Sequence, residues 1–220
     1  RNDGTVGQIP TDAERRPLFC HYNTDAVWGA YWNLTLLWEL AYPDYYNDFI
    51  RSQLLVYDDA GWLGDGIACS KYVSGVGTNM VSVVMAGAYQ NGIRDFDVEK
   101  AYEAALRNEL DGENRPLGAG KEDVASFVRL GYAPYDDGTQ SIAGLPGSSF
   151  SASHTLEYSF STYAVAQWAK ALGREGDYER LMWLSKGWER LFDPELKMIR
   201  PRRADGSFIE NFNPLESWRG

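Results

Sequence analysis

Residues 26–41 read AVWGAYWNLTLLWELA, and residues 45–57, which follow the link Tyr42-Pro43-Asp44, read YYNDFIRSQLLVY. The first stretch is apolar on nearly every side, which predicts a helix that is buried on most of its faces. The second stretch repeats apolar residues at helical spacing along one side only, which predicts a helix with a single buried stripe. Together the two stretches predict a pair of helices, one in an inner layer and one in an outer layer.

The same pattern occurs twice more along the chain. Apolar helices are predicted at 78–90 and 154–172, striped helices follow them at 98–110 and 178–192, and a shorter helix is predicted at 122–130. The link inside each pair is short and carries an aspartate, and Asp44, Asp97 and Asp177 are the predicted N-caps. The segments that lead to the next apolar helix, 58–77 and 131–153, are long and rich in glycine.

This alternation of short links and long loops predicts an all-α fold, an α/α toroid whose long loops lie on one face. An up-down bundle would have loops of more even length. Three pairs make about half of an (α/α)6 barrel, so residues 1–220 are predicted to be one partial domain. Residues 193–208 predict a turn-rich hairpin with Asp205-Gly206 at its tip. Because an open inner surface would expose apolar patches, missing segments of a parent chain or a partner chain are expected to close the ring.

Composition excludes several other classes of protein. The net charge of −10 disfavours nucleic acid and anionic membranes as partners, and no apolar run reaches the roughly 20 residues of a membrane span. Cys20 and Cys69 are too few for a disulfide framework, and buried free thiols are favoured over a bridge. Two histidines leave little room for a histidine metal site. The chain opens at Arg1 without an apolar signal segment, so any targeting peptide is expected to have been removed, and a secreted or periplasmic location is predicted.

Carboxylates flanked by aromatic residues stand where the apolar helices are predicted to begin. Asp25 fits an N-cap, a sugar-binding group or a metal ligand, and Trp28 fits either the core or a platform for a sugar ring. Trp62 and Asp65 lie in a Gly-rich loop that can line a site. Glu157 is favoured near a helix start by the helix dipole, yet it needs a partner or a ligand if it is buried. These five residues are the candidate substrate-binding set.

Five stretches carry a resemblance to a known family. They are NLTLLWELAYPDYYNDFIRSQLLVYDDAGWL, AGAYQNGIRDFDVEKAYEA, VRLGYAPYD, TLEYSF with AVAQWAKALGREGDYE, and LFDPELKMIRPRRADGSF. In their order and spacing they resemble glycoside hydrolase family 92, the calcium-dependent exo-α-mannosidases. The resemblance implies an (α/α)6 catalytic domain, an inverting mechanism that trims terminal α-linked mannose from a glycan, and Ca²⁺ that holds mannose hydroxyls. Glu157 matches the Thr-Leu-Glu-Tyr of the family.

The chain also departs from the family pattern. Trp28-Gly29 stands where the family has Trp-Asp, so only Trp28 carries over, and Gly64-Asp65-Gly66 stands where the family has Pro-Arg-Trp. The general acid and general base of the family occupy motifs that this chain lacks, so both are expected beyond residue 220. Two other functions stay open: a non-catalytic carbohydrate-binding or scaffolding toroid, and a toroid for an apolar substrate such as a terpenoid. The missing Asp-Asp-x-x-Asp helix and the wealth of Trp and Tyr argue against the last.

Overall fold

A computed structural model describes residues 9–23, 27–68, 71–72, 78–116, 119–136 and 150–215. Helices dominate these residues. The helices are α1 (Val27–Ala30), α2 (Leu34–Ala41), α3 (Pro43–Ala60), α4 (Met80–Gln90), α5 (Val98–Leu110), α6 (Val124–Leu130), α7 (Ser151–Ala171) and α8 (Glu175–Ser185), followed by a 3₁₀ helix at Gly187–Leu191. Two small antiparallel ladders join β1 (Ile67–Ala68) to β2 (Lys71–Tyr72) and β3 (Phe192–Asp193) to β4 (Met198–Ile199).

The helices pack in the predicted pairs. Helix α2 packs against α3, α4 against α5, and α7 against α8. The pairs are connected through each layer, because α4 also contacts α1 and α7 while α3 contacts α5. The predicted two-layer order of inner and outer helices is therefore confirmed for the described residues.

The largest core cluster lies between α3, α4, α5 and α7. Small residues on α5, Ala101, Ala104 and Ala105, are fully buried and let the neighbouring helices approach closely. The Trp168 ring of α7 fills the space between them, with ring centroids 5.7 Å from Tyr89 and 5.6 Å from Tyr102. Helix α7 is thus the central element against which the other pairs are assembled.

The first apolar stretch differs from its prediction. Residues 26–41 were expected to form one buried helix, but the structure breaks them into α1 and α2 around residues 31–33. Trp32 is 70% exposed and Leu40 is 84% exposed, whereas seven of the 18 residues of α3 are buried, so the predicted burial of this stretch is wrong. The physical reason is that α2 has α3 as its main packing partner within the described residues. An apolar pattern shows which surface of a helix is suited to burial, but it does not identify the element that buries it.

Several element ends also differ. Helix α3 begins at Pro43, whose missing N–H costs nothing in a first turn, so Asp44 lies inside the helix and is not its N-cap. Asp97 is confirmed as an N-cap, because its Oδ1 accepts a hydrogen bond from the Lys100 N–H at 3.0 Å. Asp177 lies within the first turn of α8 and is not its N-cap.

The predicted last helix, 178–192, divides into α8 and the 3₁₀ helix. The predicted hairpin divides into the β3–β4 ladder and a second tight turn closed by an Arg202–Phe208 bridge. Gly206 has a φ of +88°, and the Asp205 side chain accepts a hydrogen bond from the Ser207 N–H, so these residues form the tip of the second turn. Cys20 is an exposed free thiol, which contradicts its predicted burial, and Cys69 lies outside the described residues. Across the described helices, none combines the length and hydropathy that a membrane span requires.

Candidate functional site

Asp65 ties the starts of two inner helices together. Its carboxylate accepts hydrogen bonds from the Thr78 hydroxyl at 2.5 Å and from the backbone N–H groups of Met80 at 2.8 Å and Val81 at 2.7 Å. These N–H groups open α4 and have no partner inside the helix, and the helix dipole favours a negative charge there. The carbonyl oxygen of Asp65 accepts a further hydrogen bond from the Val27 N–H at the start of α1, at 2.8 Å.

The Asp65 side chain is only 4% exposed, and burial raises its pKa against the hydrogen bonds that favour its ionised form. Both carboxylate oxygens are engaged by the start of α4. The contacts therefore assign Asp65 a structural role, in which it holds the N-terminal ends of α1 and α4. Its predicted contact with a sugar stays a prediction.

Glu157 lies in the second turn of α7 and is half-buried. Burial raises its pKa, the nearby Asp65 carboxylate raises it further, and His154 acts in the opposite direction. Glu157 and Asp65 therefore lie close enough for their charges to interact. A half-buried carboxylate that is costly to ionise is typical of a ligand site, because a bound partner can replace the lost water.

Aromatic rings from α7 and from the break between α1 and α2 lie near Glu157. The Tyr31 ring centroid is 5.7 Å from that of Phe160, which lies one turn after Glu157 on α7, and 5.6 Å from that of Trp32. Burial, together with the charges of Glu157 and Asp65, raises the pKa of Tyr31. Tyr31 was missed in the sequence analysis, although its position one turn after Trp28 on an apolar helix could have suggested it. Trp28 itself is half-buried and packs against the main core cluster.

Trp62 faces the protein interior. It is 3% exposed, and the guanidinium groups of Arg107 and Arg115 lie 4.2 Å and 4.6 Å from its ring centroid. The next residue, Leu63, exchanges two backbone hydrogen bonds with the Asn108 side chain of α5. Trp62 thus anchors the loop that carries Asp65, and its location gives no support to the prediction that it stacks on a sugar.

Asp25 lies outside the described residues, so its predicted role stays a prediction. Of the remaining candidates, the structure brings together Asp65 and Glu157, with Trp28 on the same short helix that Asp65 contacts. It turns Trp62 away from them. Within the described residues no group of three or more His, Cys, Asp and Glu side chains is arranged to hold a metal ion.

A buried polar layer lies beneath the site, and the sequence analysis did not anticipate it. Lys121 Nζ contacts the Glu109 carboxylate and donates a hydrogen bond to the Thr162 hydroxyl of α7 at 2.7 Å. The Asn79 side chain, just before α4, donates to Glu109 at 2.5 Å. Burial lowers the pKa of Lys121 to about 8, against the attraction of Glu109. The network joins α4, α5 and α7 directly behind the turn that carries Glu157.

Comparison with known proteins agrees with this arrangement. A family model described as the glycosyl hydrolase family 92 catalytic domain matches residues 5–219, which is nearly the whole chain. The chain belongs to glycosyl hydrolase family 92. Its membership confirms the resemblance carried by the five sequence stretches.

Individual relatives of this family 92 chain include a protein named as an uncharacterized secreted glycosidase from Arthroderma benhamiae. It is 31% identical over 183 residues, which are 81% of this chain and 22% of that protein. A family GH92 inverting mannosidase from Bacteroides thetaiotaomicron has a similar structure, with a TM-score of 0.80 and 20% identity, over 94% of this chain and 28% of that one. A family GH92 α-mannosidase from the same organism gives a TM-score of 0.75 at 26% identity, over 93% of this chain and 26% of that one.

The structural matches confirm the helical toroid as the fold class. The family 92 chain spans about a quarter of the length of these relatives.

Proposed function

We propose that this chain forms one wall of the active site of a glycoside hydrolase that removes terminal α-linked mannose from glycans. The observation that carries the proposal is the position of Glu157 in a family 92 domain. This half-buried carboxylate stands beside aromatic rings where the inner helices begin. A carboxylate accepts hydrogen bonds from sugar hydroxyls, and aromatic faces suit the apolar sides of sugar rings. One α-mannosidase relative has been solved with mannoimidazole bound, which supports mannose as the sugar.

Inverting hydrolysis needs a general acid and a general base about 6.5–9.5 Å apart. Asp65 is engaged at the start of α4, so Glu157 has no second carboxylate among the described candidates with which to form such a pair. We therefore assign binding and orientation of the sugar to Glu157, and the acid and base to residues of a parent chain beyond residue 220. Calcium, with ligands supplied there, would order the mannose hydroxyls.

The exposed apolar faces also support a site that is shared between this chain and other parts of a parent chain. Leu36 and Leu40 on α2, and Leu156, Phe160 and Tyr163 on α7, are exposed. We propose that further helices of the parent chain cover these faces and close the toroid, since contiguous apolar surface of this kind is unusual on a free domain. A secreted or periplasmic location fits the relative that is named as secreted.

The specific alternative is a carbohydrate-binding toroid without activity. Gly29 stands where the family has an aspartate, and this substitution favours the alternative, because one sugar contact is absent. The two functions differ in whether the parent chain turns over substrate.

The test measures release of mannose and of a chromogenic aglycone from α-mannosides, with calcium and with a chelator. We expect turnover by the parent chain and none by residues 1–220, because loss of an acid and a base costs about 10²–10⁴-fold each. In the parent chain, Glu157→Gln should lower kcat/KM about 10- to 100-fold, since a hydrogen bond to a charged group contributes about 1.5–3 kcal/mol. Glu103→Gln, at an exposed position on α5, is the matched control and should leave kcat/KM unchanged. Chelator-sensitive turnover by residues 1–220 alone would contradict the proposed division.

A further inference from the structure

A buried carboxylate–imidazole pair lies one helical turn before Glu157. His154 is 5% exposed, and its Nδ1 lies 2.7 Å from Oδ2 of Asp123, which is 3% exposed. Asp123 directly precedes α6, where an aspartate would ordinarily cap the helix, yet its side chain makes no capping hydrogen bond. The carboxylate is directed to His154 instead.

Aromatic rings and backbone groups fix this pair in place. The His154 ring stacks on the Tyr158 ring with centroids 5.3 Å apart and an interplanar angle of 23°, and the Phe150 ring lies 5.9 Å away. The Tyr158 hydroxyl accepts hydrogen bonds from the backbone N–H groups of Glu122 at 3.0 Å and Asp123 at 3.4 Å. Asp123 is therefore held to α7 through both its backbone and its side chain, which leaves the imidazole little freedom to rotate.

Among the described residues, three titratable groups interact electrostatically with Glu157. Asp65 lies in the loop before β1, Tyr31 in the break between α1 and α2, and His154 on the same helix as Glu157. Of these, only His154 can carry a positive charge. Lys121, a buried cation, is paired with Glu109 and donates to the Tyr158 carbonyl oxygen on α7.

We propose that Asp123 and His154 are positioning residues: Asp123 holds the His154 ring beside Glu157, where the protonated form of the ring favours the ionised Glu157 carboxylate that a ligand needs. A carboxylate that accepts the Nδ1–H of a histidine fixes the tautomer and the orientation of the ring. Residues three apart on a helix lie about 5–6 Å from each other at Cβ, close enough for a strong charge interaction. The ionised Glu157 then accepts hydrogen bonds, which is what a sugar hydroxyl requires. The part of this inference that concerns the sugar rests on the proposed function.

The test follows the ionisation of Glu157 in the full-length protein without using activity. Carbodiimide couples an amine to protonated carboxyl groups, and peptide mass spectrometry quantifies the product at each residue. The ratio of labelling at Glu157 to labelling at the exposed Glu103 in one sample, followed against pH, gives the titration midpoint of Glu157. A unit charge about 6 Å away shifts such a midpoint by about 0.5–2 pH units for effective dielectric constants between about 80 and 20.

We expect His154→Gln to raise the midpoint by that amount. His21→Gln is the matched control, because the other histidine of the chain is exposed and should leave the midpoint unchanged. An unchanged midpoint in folded His154→Gln protein overturns the proposal. Circular dichroism establishes whether each variant is folded.

Asp123→Asn gives a second test, in which the direction of the shift in the Glu157 titration midpoint decides whether the proposal stands. Removing a carboxylate by itself lowers the midpoint of a neighbouring glutamate, because one repulsive charge is gone. If Asp123 acts through the imidazolium, its removal raises the midpoint instead, and a lowered midpoint overturns the proposal. The positioning pair and the proposed function can be refuted independently of each other. A shifted midpoint without mannoside cleavage would refute the hydrolase alone, and cleavage with an unshifted midpoint would refute the positioning pair alone.

Discussion

Replacing Lys121 by methionine removes the cation from the buried network while keeping most of the volume of the side chain. Lys121 is fully buried, and so is its partner Glu109. In Lys121→Met the Glu109 carboxylate keeps the hydrogen bonds from Asn79, at 2.5 Å, and from Thr162, at 2.6 Å, but it loses its counter-charge. The variant therefore leaves one negative charge buried and unpaired.

The expected loss follows from the cost of that charge. Breaking a buried ion pair on one side destabilises a protein by about 3–5 kcal/mol. A buried carboxylate can escape part of the cost by taking up a proton, and lifting a glutamate from its ordinary pKa of about 4.3 to pH 7 costs about 3.7 kcal/mol. That figure is a ceiling on the penalty for the unpaired charge. We therefore expect Lys121→Met to lower the free energy of unfolding by about 3–3.7 kcal/mol at pH 7.

Urea unfolding followed by circular dichroism measures this loss. With an m-value of about 3 kcal/mol/M, the midpoint should fall by about 1 M. Adding Glu109→Gln should recover at least half of the loss, because the unpaired charge is then gone. Lys100→Met is the matched control. Lys100 pairs with Asp58 at 3.1 Å at the surface, and its loss should cost no more than about 1 kcal/mol. Equal effects of Lys121→Met and Lys100→Met would refute the reasoning.

Three further changes test other parts of the fold. In Gly187→Ala the new Cβ would overlap the carbonyl oxygen of Gly131, so thermal unfolding should show a loss of about 1–3 kcal/mol, whereas Gly176→Ala has open space and should be neutral or stabilising. Tyr158→Phe strips the acceptor from two backbone N–H groups before α6 and should cost about 1–3 kcal/mol by urea unfolding, and a loss below about 0.5 kcal/mol would contradict the assigned hydrogen bonds. Because the folded-state pKa of Glu157 is raised, folded protein holds its proton longer than unfolded protein, and stability should fall as pH rises from the ordinary glutamate range through the raised pKa. Glu157→Gln should remove the part of that slope that Glu157 contributes, which unfolding midpoints of the two proteins between pH 4 and pH 7 would measure.

The paired helices could be predicted from the sequence because helical periodicity is a local property. The all-round apolar pattern of 78–90 and the striped pattern of 98–110 each record how many sides of one helix are covered. The same logic failed for α2. Leu36, Leu37 and Leu40 are apolar in sequence and exposed in the structure, because the surface that would cover them is not among the described residues. Helical periodicity shows which side of a helix should be buried, but it does not show which other element packs on that side.

The candidate site was predictable only where a residue's role depends on its own helix. Glu157 was found because a carboxylate in an otherwise apolar helix needs an explanation. Trp62 was assigned to the site because it lies in a Gly-rich loop, but its ring is held by Arg107 and Arg115, which are about 50 residues away in sequence. The sequence analysis missed the His154–Asp123 pair for the same reason, because its two members are 31 residues apart. Contacts at such separations are determined by tertiary packing, which a single sequence does not display.

Asp65 joins the starts of α1 and α4, and this limits where the neighbouring loop can change in length. Its carbonyl oxygen meets α1 and its carboxylate meets α4, so a residue inserted between Trp62 and Asp65 would displace both helix starts at once. An insertion in the stretch 66–77, after Asp65, leaves the two contacts in register. Changes in loop length can therefore accumulate on the distal side of Asp65 without loosening the starts of α1 and α4.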